Sequence, residues 1–250
     1  MDFDATFFAL ALPAAFISGV AKGGFGGGAA FVATAILALF LPPATALGIM
    51  LPLLMIADVA TLRPFWGKWH WPSAKALIIG GVPGVLLGAA LYKATNPDVL
   101  RVLIGSISLG FVAFQIARAR GWLSVEQTGF NQRNGLIAGV VSGFTSFVSH
   151  AGGPPTAIFL LAQGMGKTPY QATTVITFWV INAMKAVPYA FLGVFSWDTL
   201  RADLYMLPFL LIGVALGVYA HRAMPERYFF LLTYALLLGA GAKLVFDGLT

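Results

Sequence analysis

Apolar runs of about 20 residues recur along this chain, and they constrain its fold more than any other feature. Runs near 43–62, 73–91, 98–118, 168–190, 203–221 and 227–246 are long enough to cross a hydrocarbon layer of roughly 30 Å as helices. Backbone groups in lipid must be hydrogen-bonded within the protein, which leaves helices or closed barrels. Barrel strands alternate over segments of about 10 residues, whereas these runs are continuous. The sequence therefore predicts an all-α integral membrane protein.

The composition agrees with this fold class and limits the partners. Only 10% of the 250 residues are charged, and the mean hydropathy is +0.86, whereas soluble domains contain about 25% charged residues. The chain has no cysteine, and its three histidines are not in a metal-ligand spacing, so neither a metal nor another cofactor is predicted. The net charge of +6 lies mostly in short loops, which indicates the lipid bilayer and not nucleic acid as partner. The sequence leaves a homo-oligomer open.

Two further apolar regions, near 5–41 and 134–164, are interrupted by glycine-rich stretches. The first interruption is KGGFGGG at 22–28 and the second is SHAGGPP at 149–155. Glycine and proline both disfavour helix interiors. The pieces on either side are about 10 to 16 residues long, which is marginal or too short to span a bilayer. The sequence predicts either re-entrant hairpins or discontinuous helices and does not decide between them.

The two halves of the chain resemble each other in an ordered series of residues. Matched pairs, at a spacing that drifts only from 124 to 129, are Ser18–Ser142, Gly27–Gly152, Asp58–Asn182, Gly84–Gly213 and Gly88–Gly217. The last two pairs are small-residue motifs, which favour close helix packing. We predict a first membrane repeat at 1–118, a cytoplasmic linker at 119–133 and a second membrane repeat at 134–250.

Loop charges predict that the two repeats are inverted. Basic residues mark the loops near 63–75, 118–133 and 222–227, whereas Asp2 and Asp4 mark the N-terminus and Asp198 and Asp203 the loop near 198–203. The positive-inside rule places the basic loops inside and both termini outside. The loop after 43–62 is then inside and its equivalent after 168–190 is outside. This is the inverted-repeat architecture of many secondary transporters.

The two glycine-rich interruptions together predict an anion-binding site near the membrane midplane. A helix starting after each interruption, near Gly28 and near Thr156, would point unpaired N–H groups and partial positive charge at a ligand. Lys22 adds a fixed charge and His150 a titratable donor, and we expect no acidic residue nearby. The alternative is that these stretches are packing surfaces. The predicted substrate-binding residues are Ser18, Lys22, Gly23, Gly24, Gly26, Gly27, Gly28, Ser146, Ser149, His150, Gly152, Gly153 and Thr156.

Asp58 and Lys185 are ionisable residues inside predicted spans, where charges tend to be functional or paired. They lie near equivalent positions of the two repeats and could pair across the axis, so both are candidates for a coupling-ion site. The alternative is that each snorkels to a membrane surface. No catalytic residue is predicted, because the adjacent Ser149 and His150 would not face each other on a helix. The chain also lacks the phosphate-binding motif of ATPases.

The paired glycine motifs resemble those of the sulfite exporter TauE/SafE family, which is grouped with toluene sulfonate uptake permeases. The resemblance rests on Ser18-Gly19 with the stretch 22–28, and on Ser142-Gly143 with the stretch 150–155, and covers essentially the whole chain. It implies a secondary transporter that exports sulfite, or an organosulfonate such as sulfoacetate, across the cytoplasmic (inner) membrane. An anion channel, or an uptake permease for sulfonates, with the same pore chemistry is the alternative.

Overall fold

The computed structural model describes residues 3–25, 29–123, 127–223 and 227–250, and every regular element within these ranges is an α-helix. The predicted all-α fold is therefore confirmed. The helices in chain order are α1 (Ala5–Gly24), α2 (Val32–Leu37), α3 (Pro43–Phe65), α4 (Trp71–Ala94), α5 (Pro97–Ala119), α6 (Gln132–Ser149), α7 (Gly153–Leu161), α8 (Lys167–Phe191), α9 (Trp197–Ala223) and α10 (Arg227–Leu249).

Seven helices in the described ranges are long and apolar enough to cross a membrane. Six of them, α3, α4, α5, α8, α9 and α10, lie over the predicted spans. The seventh is α1, and its 20 residues correct the prediction of a short piece before the first glycine stretch. Gly19 and Gly23 do not end α1, because the backbone of α9 packs directly against them and takes the place of side-chain contacts.

Helices α1 and α9 touch at the level of their backbones. A Cβ atom on Gly19 would lie 2.2 Å from the carbonyl oxygen of Leu210, and one on Gly213 would lie 2.2 Å from the carbonyl oxygen of Phe16. Only glycine permits such an approach, and small residues are the usual contact of helices packed in lipid. The predicted packing role of Gly213 is confirmed.

Helices α4 and α6 repeat this contact in the equivalent positions. A Cβ atom on Gly84 would lie 2.1 Å from the carbonyl oxygen of Val140, and one on Gly143 would lie 2.4 Å from that of Gly81. Positions 140 and 143 follow 16 and 19 by 124 residues, and positions 210 and 213 follow 81 and 84 by 129. The first helix of each half therefore packs on the fourth helix of the other half through matched residues.

Helices α5 and α10, which the sequence series predicts to be equivalent, also pack on each other and run in opposite directions. In the pair α5 and α10, a Cβ atom on Gly105 would lie 2.6 Å from the carbonyl oxygen of Gly241, and one on Gly248 would lie 2.7 Å from that of Asp98. The start of α5 therefore lies beside the end of α10.

The pair α3 and α8 is antiparallel in the same way and forms the centre of the fold. Phe65, the last residue of α3, packs in one buried cluster with Val175 from the first part of α8. Leu47, near the start of α3, packs in another with Tyr189, near the end of α8. Helices α3 and α8 also match each other in the sequence series, so the two halves of the chain meet along these two helices.

Both interrupted regions double back on themselves. In the first half, the ring of Phe40, which follows α2, has its centroid 6.4 Å from that of Phe7 in the first turn of α1. In the second half, the amides of Thr128 and Gly129, before α6, donate to the carbonyl oxygen of Ala162, after α7, at 2.8 and 3.2 Å. Each pair of helices therefore begins and ends at the same side of the fold.

Candidate functional site

Six polar or charged side chains are buried where α1, α3, α6 and α8 meet. Each is at most 7% exposed, although these helices are largely apolar. Ionisable groups at such depth are strongly disfavoured unless they are hydrogen-bonded or paired, and they tend to mark functional sites in membrane proteins. We refer to these residues as the central cluster, and they are Lys22, Asp58, Ser146, His150, Asn182 and Lys185.

Lys22 forms a buried ion pair with Asp58 within this cluster. Its Nζ lies 2.5 Å from Oδ1 of Asp58, while Oδ2 accepts a hydrogen bond from Nδ2 of Asn182 at 2.6 Å. The Lys22 ammonium also lies 5.2 Å from the centroid of the Phe178 ring, within the range of a cation–π contact. Asp58 and Asn182 are equivalent positions in the two halves, so this hydrogen bond joins the halves at their centre.

Lys185 is held by neutral acceptors. Its Nζ donates to the carbonyl oxygen and to Oγ of Ser146, both at 2.9 Å, and lies 2.8 Å from Nδ1 of His150. No carboxylate of the described residues lies within 4.0 Å of this ammonium. Because the ammonium can only donate, Nδ1 of His150 accepts, which assigns the ring proton to Nε2. Nε2 then donates to the carbonyl oxygen of Leu47 at 3.1 Å.

The position of His150 depends on an uncommon backbone conformation. It caps the C-terminus of α6 at φ 57°, and it is the only residue other than glycine with a positive φ in the described ranges. This left-handed conformation ends α6 and turns the chain towards α7, so the imidazole faces Lys185 from the turn itself. Histidine is one of the few side chains found there with any frequency.

A small cavity, which we call the central cavity, lies beside the central cluster and has a volume of about 10 Å³. A space of that size holds about one water molecule, so it must widen to admit an oxyanion. Four of the six cluster residues line it, together with Gly153, the first residue of α7. The N-terminus of a helix carries partial positive charge that attracts anions. In the first turn of α7 only Gly153 and Thr156 have N–H groups, because Pro154 and Pro155 have none. The lining residues are Lys22, Ala30, Leu54, Ser146, His150, Gly153, Phe178 and Asn182.

The structure corrects the placement of Lys22. We expected it beside the N-terminus of a helix and away from any acidic residue, but it lies in the last turn of α1 and is paired with Asp58. The helix starts expected near Gly28 and near Thr156 correspond to α2, which begins at Val32, and to α7, which begins at Gly153. Glycine does not prevent α1 from continuing through Gly24, because α9 supports it there.

Asp58 and Lys185, which the sequence allowed to pair, do not contact each other directly. Asp58 bonds to Lys22 and Asn182, whereas Lys185 bonds to Ser146 and His150. Both residues are nevertheless fully buried in one cluster, so neither snorkels to a membrane surface. Their side chains point to different partners because Lys22 reaches Asp58 from α1.

The three remaining hydroxyl residues of the predicted site bond to the protein itself. Ser18 donates to the carbonyl oxygen of Ala30 at 2.9 Å, and Ser149 donates to that of Thr145 at 3.0 Å. Thr156 shares a hydrogen bond of 2.8 Å with Ser142. None of Ser18, Ser149 and Thr156 lines the central cavity. The contacts of Ser18 and Thr156 join the two pieces of each interrupted region, whereas that of Ser149 lies within α6.

The predicted glycines fall into three groups. Gly23 and Gly24 pack against the backbone of α9, and Gly152 packs against Phe178. Gly153 lines the central cavity. Gly26, Gly27 and Gly28 lie outside the described residues.

Two residues of the site were not predicted from sequence, Asn182 and Phe178. Asn182 had been noted only as the repeat partner of Asp58, and that match was the available signal. Equivalent residues at the centre of an inverted repeat are expected to contact each other. Phe178 carries no such signal, because phenylalanine is common in apolar helices.

A second, larger cavity opens at the end of the fold where α5 ends and α8 begins, with a volume of about 560 Å³. We call it the polar vestibule, and Arg118, Lys167, Gln171 and His221 are among its lining residues. Nε2 of Gln171 donates to the carbonyl oxygen of Lys22 at 2.8 Å. Gln171 therefore links the polar vestibule to the last turn of α1 and to the central cluster.

Comparison with known proteins now bears on this arrangement. A family model described as Sulfite exporter TauE/SafE matches residues 11–244, which include the whole central cluster. Neither the curated proteins nor the solved structures gave a match to the chain. The match covers nearly the whole sequence and confirms the resemblance noted from the glycine motifs. The chain belongs to the TauE/SafE sulfite exporter family of membrane transporters.

Proposed function

We propose that this protein is a secondary transporter that exports sulfite, or an organosulfonate such as sulfoacetate, across the cytoplasmic (inner) membrane. The observation that carries the proposal is the central cavity, where Lys22 and the N-terminus of α7 face one space and Lys185 is bonded to two of its lining residues. The formal charges of Lys22, Lys185 and Asp58 sum to +1. A singly charged oxyanion group, such as a sulfonate, would therefore balance the charge of the cluster and accept its hydrogen bonds.

We further propose that the protein consists of two inverted membrane repeats, 1–118 and 134–250, joined by a cytoplasmic linker at 119–133. The antiparallel packing of α5 on α10 and of α3 on α8 supports inversion, because equivalent helices run in opposite directions. The proximity of Phe7 to Phe40, and of Thr128 to Ala162, supports two re-entrant hairpins. Sites at the meeting point of such repeats are typical of secondary transporters.

The proposed orientation places both termini outside and residue 127 inside. Single cysteines at Asp4, Gln127 and Thr250 of the cysteine-free chain are expected to react differently with a membrane-impermeant maleimide. In intact cells, Asp4→Cys and Thr250→Cys should be labelled, and Gln127→Cys should be labelled only after permeabilisation, because basic loops stay inside. Labelling of Gln127→Cys in intact cells would contradict the inverted assignment.

The polar vestibule supports a route from the cytoplasmic side to the central cluster. In the proposed orientation it opens inside, where Arg118 and Lys167 would raise the local concentration of anions. From there the path leads past Gln171 to Lys22. Anion exit from a negative cell interior is favoured by the membrane potential, so export does not require a nucleotide-driven step.

The proposal is tested by efflux from proteoliposomes that contain the purified protein. Liposomes are loaded with sulfite, sulfoacetate, taurine or sulfate, and protein-free liposomes serve as the control. We expect efflux of sulfite or sulfoacetate that saturates with concentration and accelerates when the interior is negative. Flux that stays linear in concentration would instead support a channel. No efflux above the control for any of the four anions would contradict the proposal.

A further inference from the structure

The ion pair between Lys22 and Asp58 carries an inference that rests on the proposed function. Asp58 is fully buried and Lys22 is 5% exposed, and their charged atoms are 2.5 Å apart. The same Lys22 lines the central cavity, whereas Asp58 is not among its lining residues. An oxyanion in the cavity and the Asp58 carboxylate would therefore both depend on the single positive charge of Lys22.

After net export, a transporter must return its empty binding site to the inward-facing state. During that step the Lys22 ammonium stays within the protein and still needs a partner, because an unpaired buried ion is strongly destabilised. Asp58 is the only acidic residue of the described ranges in contact with Lys22. The other charged residue of the central cluster, Lys185, cannot serve as this partner, because it is itself a cation and is bonded to Ser146 and His150.

We infer that Asp58 is the internal counter-ion that neutralises Lys22 when the transporter returns without substrate, and that the substrate anion competes with Asp58 for this ammonium. When the substrate anion takes over the Lys22 ammonium, Oδ2 of Asp58 keeps its hydrogen bond from Asn182, and the bound anion must offset the loss of the Lys22 contact at Oδ1. Asn182 is the equivalent residue of the other half and carries no charge. The central cluster therefore has one carboxylate, that of Asp58, and it pairs with only one of the two lysines, Lys22.

Removing the carboxylate should separate two activities that a substrate-contacting residue would affect together. In Asp58→Asn, sulfoacetate binds Lys22 without competition, so binding should tighten by about tenfold, and exchange of internal for external sulfoacetate should persist. Net efflux should fall by about tenfold or more, because the return step must carry an unpaired ammonium. Both rates are measured in the same proteoliposomes, with labelled sulfoacetate outside for exchange and none outside for net efflux.

The matched control is Thr61→Ala, one turn further along α3. Thr61 is also fully buried, and its hydroxyl donates to the carbonyl oxygens of Ala57 and Asp58, so the change removes hydrogen bonds without removing charge. We expect exchange and net efflux to change by the same factor in this variant. Equal losses of exchange and net efflux in Asp58→Asn, on an active wild type, would overturn the inference alone.

A second measurement uses the wild-type protein and remains available if Asp58→Asn fails to fold. Infrared difference spectra on addition of sulfoacetate should show a shifted Asp58 carboxylate band, because Oδ1 of Asp58 loses its ammonium partner. Sulfoacetate has a carboxylate of its own, so it is added with that carboxylate isotopically labelled, which moves the ligand band away from the Asp58 band. The shift of the unlabelled band should be absent in the double variant Lys22→Gln/Asp58→Asn. An unshifted Asp58 band in a wild type that transports sulfoacetate would overturn the inference. A wild type that transports none of the tested anions would overturn the proposed function, and the inference with it.

Discussion

Replacing Lys22 by glutamine is expected to weaken sulfoacetate binding by about ten- to a hundredfold. Hydrogen bonds to charged groups contribute roughly 1.5–3 kcal/mol, and about 1.4 kcal/mol corresponds to a factor of ten in affinity. Of the two lysines in the central cluster, Lys22 is the one that lines the central cavity. Isothermal titration of the purified protein measures the loss.

The same substitution should also destabilise the fold. Removing one partner of a buried ion pair leaves the other charge unpaired, and this typically costs about 3–5 kcal/mol. Asp58 is fully buried, and Asn182 alone would remain as its donor. The double variant Lys22→Gln/Asp58→Asn should therefore recover most of the lost thermal stability while its sulfoacetate binding stays weak.

Lys68→Gln provides the control for Lys22→Gln. Lys68 is exposed in the connection between α3 and α4, and its Nζ donates only to the carbonyl oxygen of Pro64, at 3.1 Å. This variant should bind sulfoacetate and unfold like the wild type. If Lys22→Gln bound sulfoacetate with wild-type affinity, the anion site would have to lie elsewhere, whatever the effect on stability.

The fold was largely predictable from the sequence because the bilayer restricts the choices. In lipid, only helices or closed barrels satisfy all backbone hydrogen bonds. The long stretches without charged residues then reveal which segments span the membrane. The extent of α1 was not predictable in this way. Glycine usually weakens a helix, but Gly19, Gly23 and Gly24 gain contacts with α9 that depend on residues nearly 200 positions away. Local propensity contains no information about that partner.

The candidate site was predictable in part. Lys22 and His150 were identified because a charge or an imidazole inside an apolar stretch has no other obvious role. The pairing of Lys22 with Asp58 was missed, since 36 residues separate them and neither spacing nor pattern relates them. The repeat offered one usable constraint, the match of Asp58 with Asn182. It predicts a contact only once the axis between the halves is known to pass through α3 and α8.

Replacing Lys185 by glutamine should stabilise the fold, which is the opposite of the effect expected for Lys22→Gln. Its ammonium is fully buried, and its contacts are the carbonyl and hydroxyl oxygens of Ser146 and Nδ1 of His150. Burying an ion carries a penalty of several kcal/mol, of which neutral acceptors recover only a part. Lys185→Gln keeps a donor for the carbonyl oxygen of Ser146 and removes the charge, so we expect its unfolding temperature to rise above that of the wild type.

The gain in stability should be accompanied by a loss of function. Lys185 is bonded to Ser146 and His150, two residues of the cavity wall, and it supplies one of the two positive charges of the central cluster. Its removal leaves Lys22 and Asp58 with a net formal charge of zero, so sulfoacetate binding should weaken by about ten- to a hundredfold. Thermal unfolding and titration of Lys185→Gln beside Lys22→Gln test both effects. If Lys185→Gln were as unstable as Lys22→Gln, Asp58 would be the counter-ion of both lysines, and its pairing with Lys22 alone would be wrong.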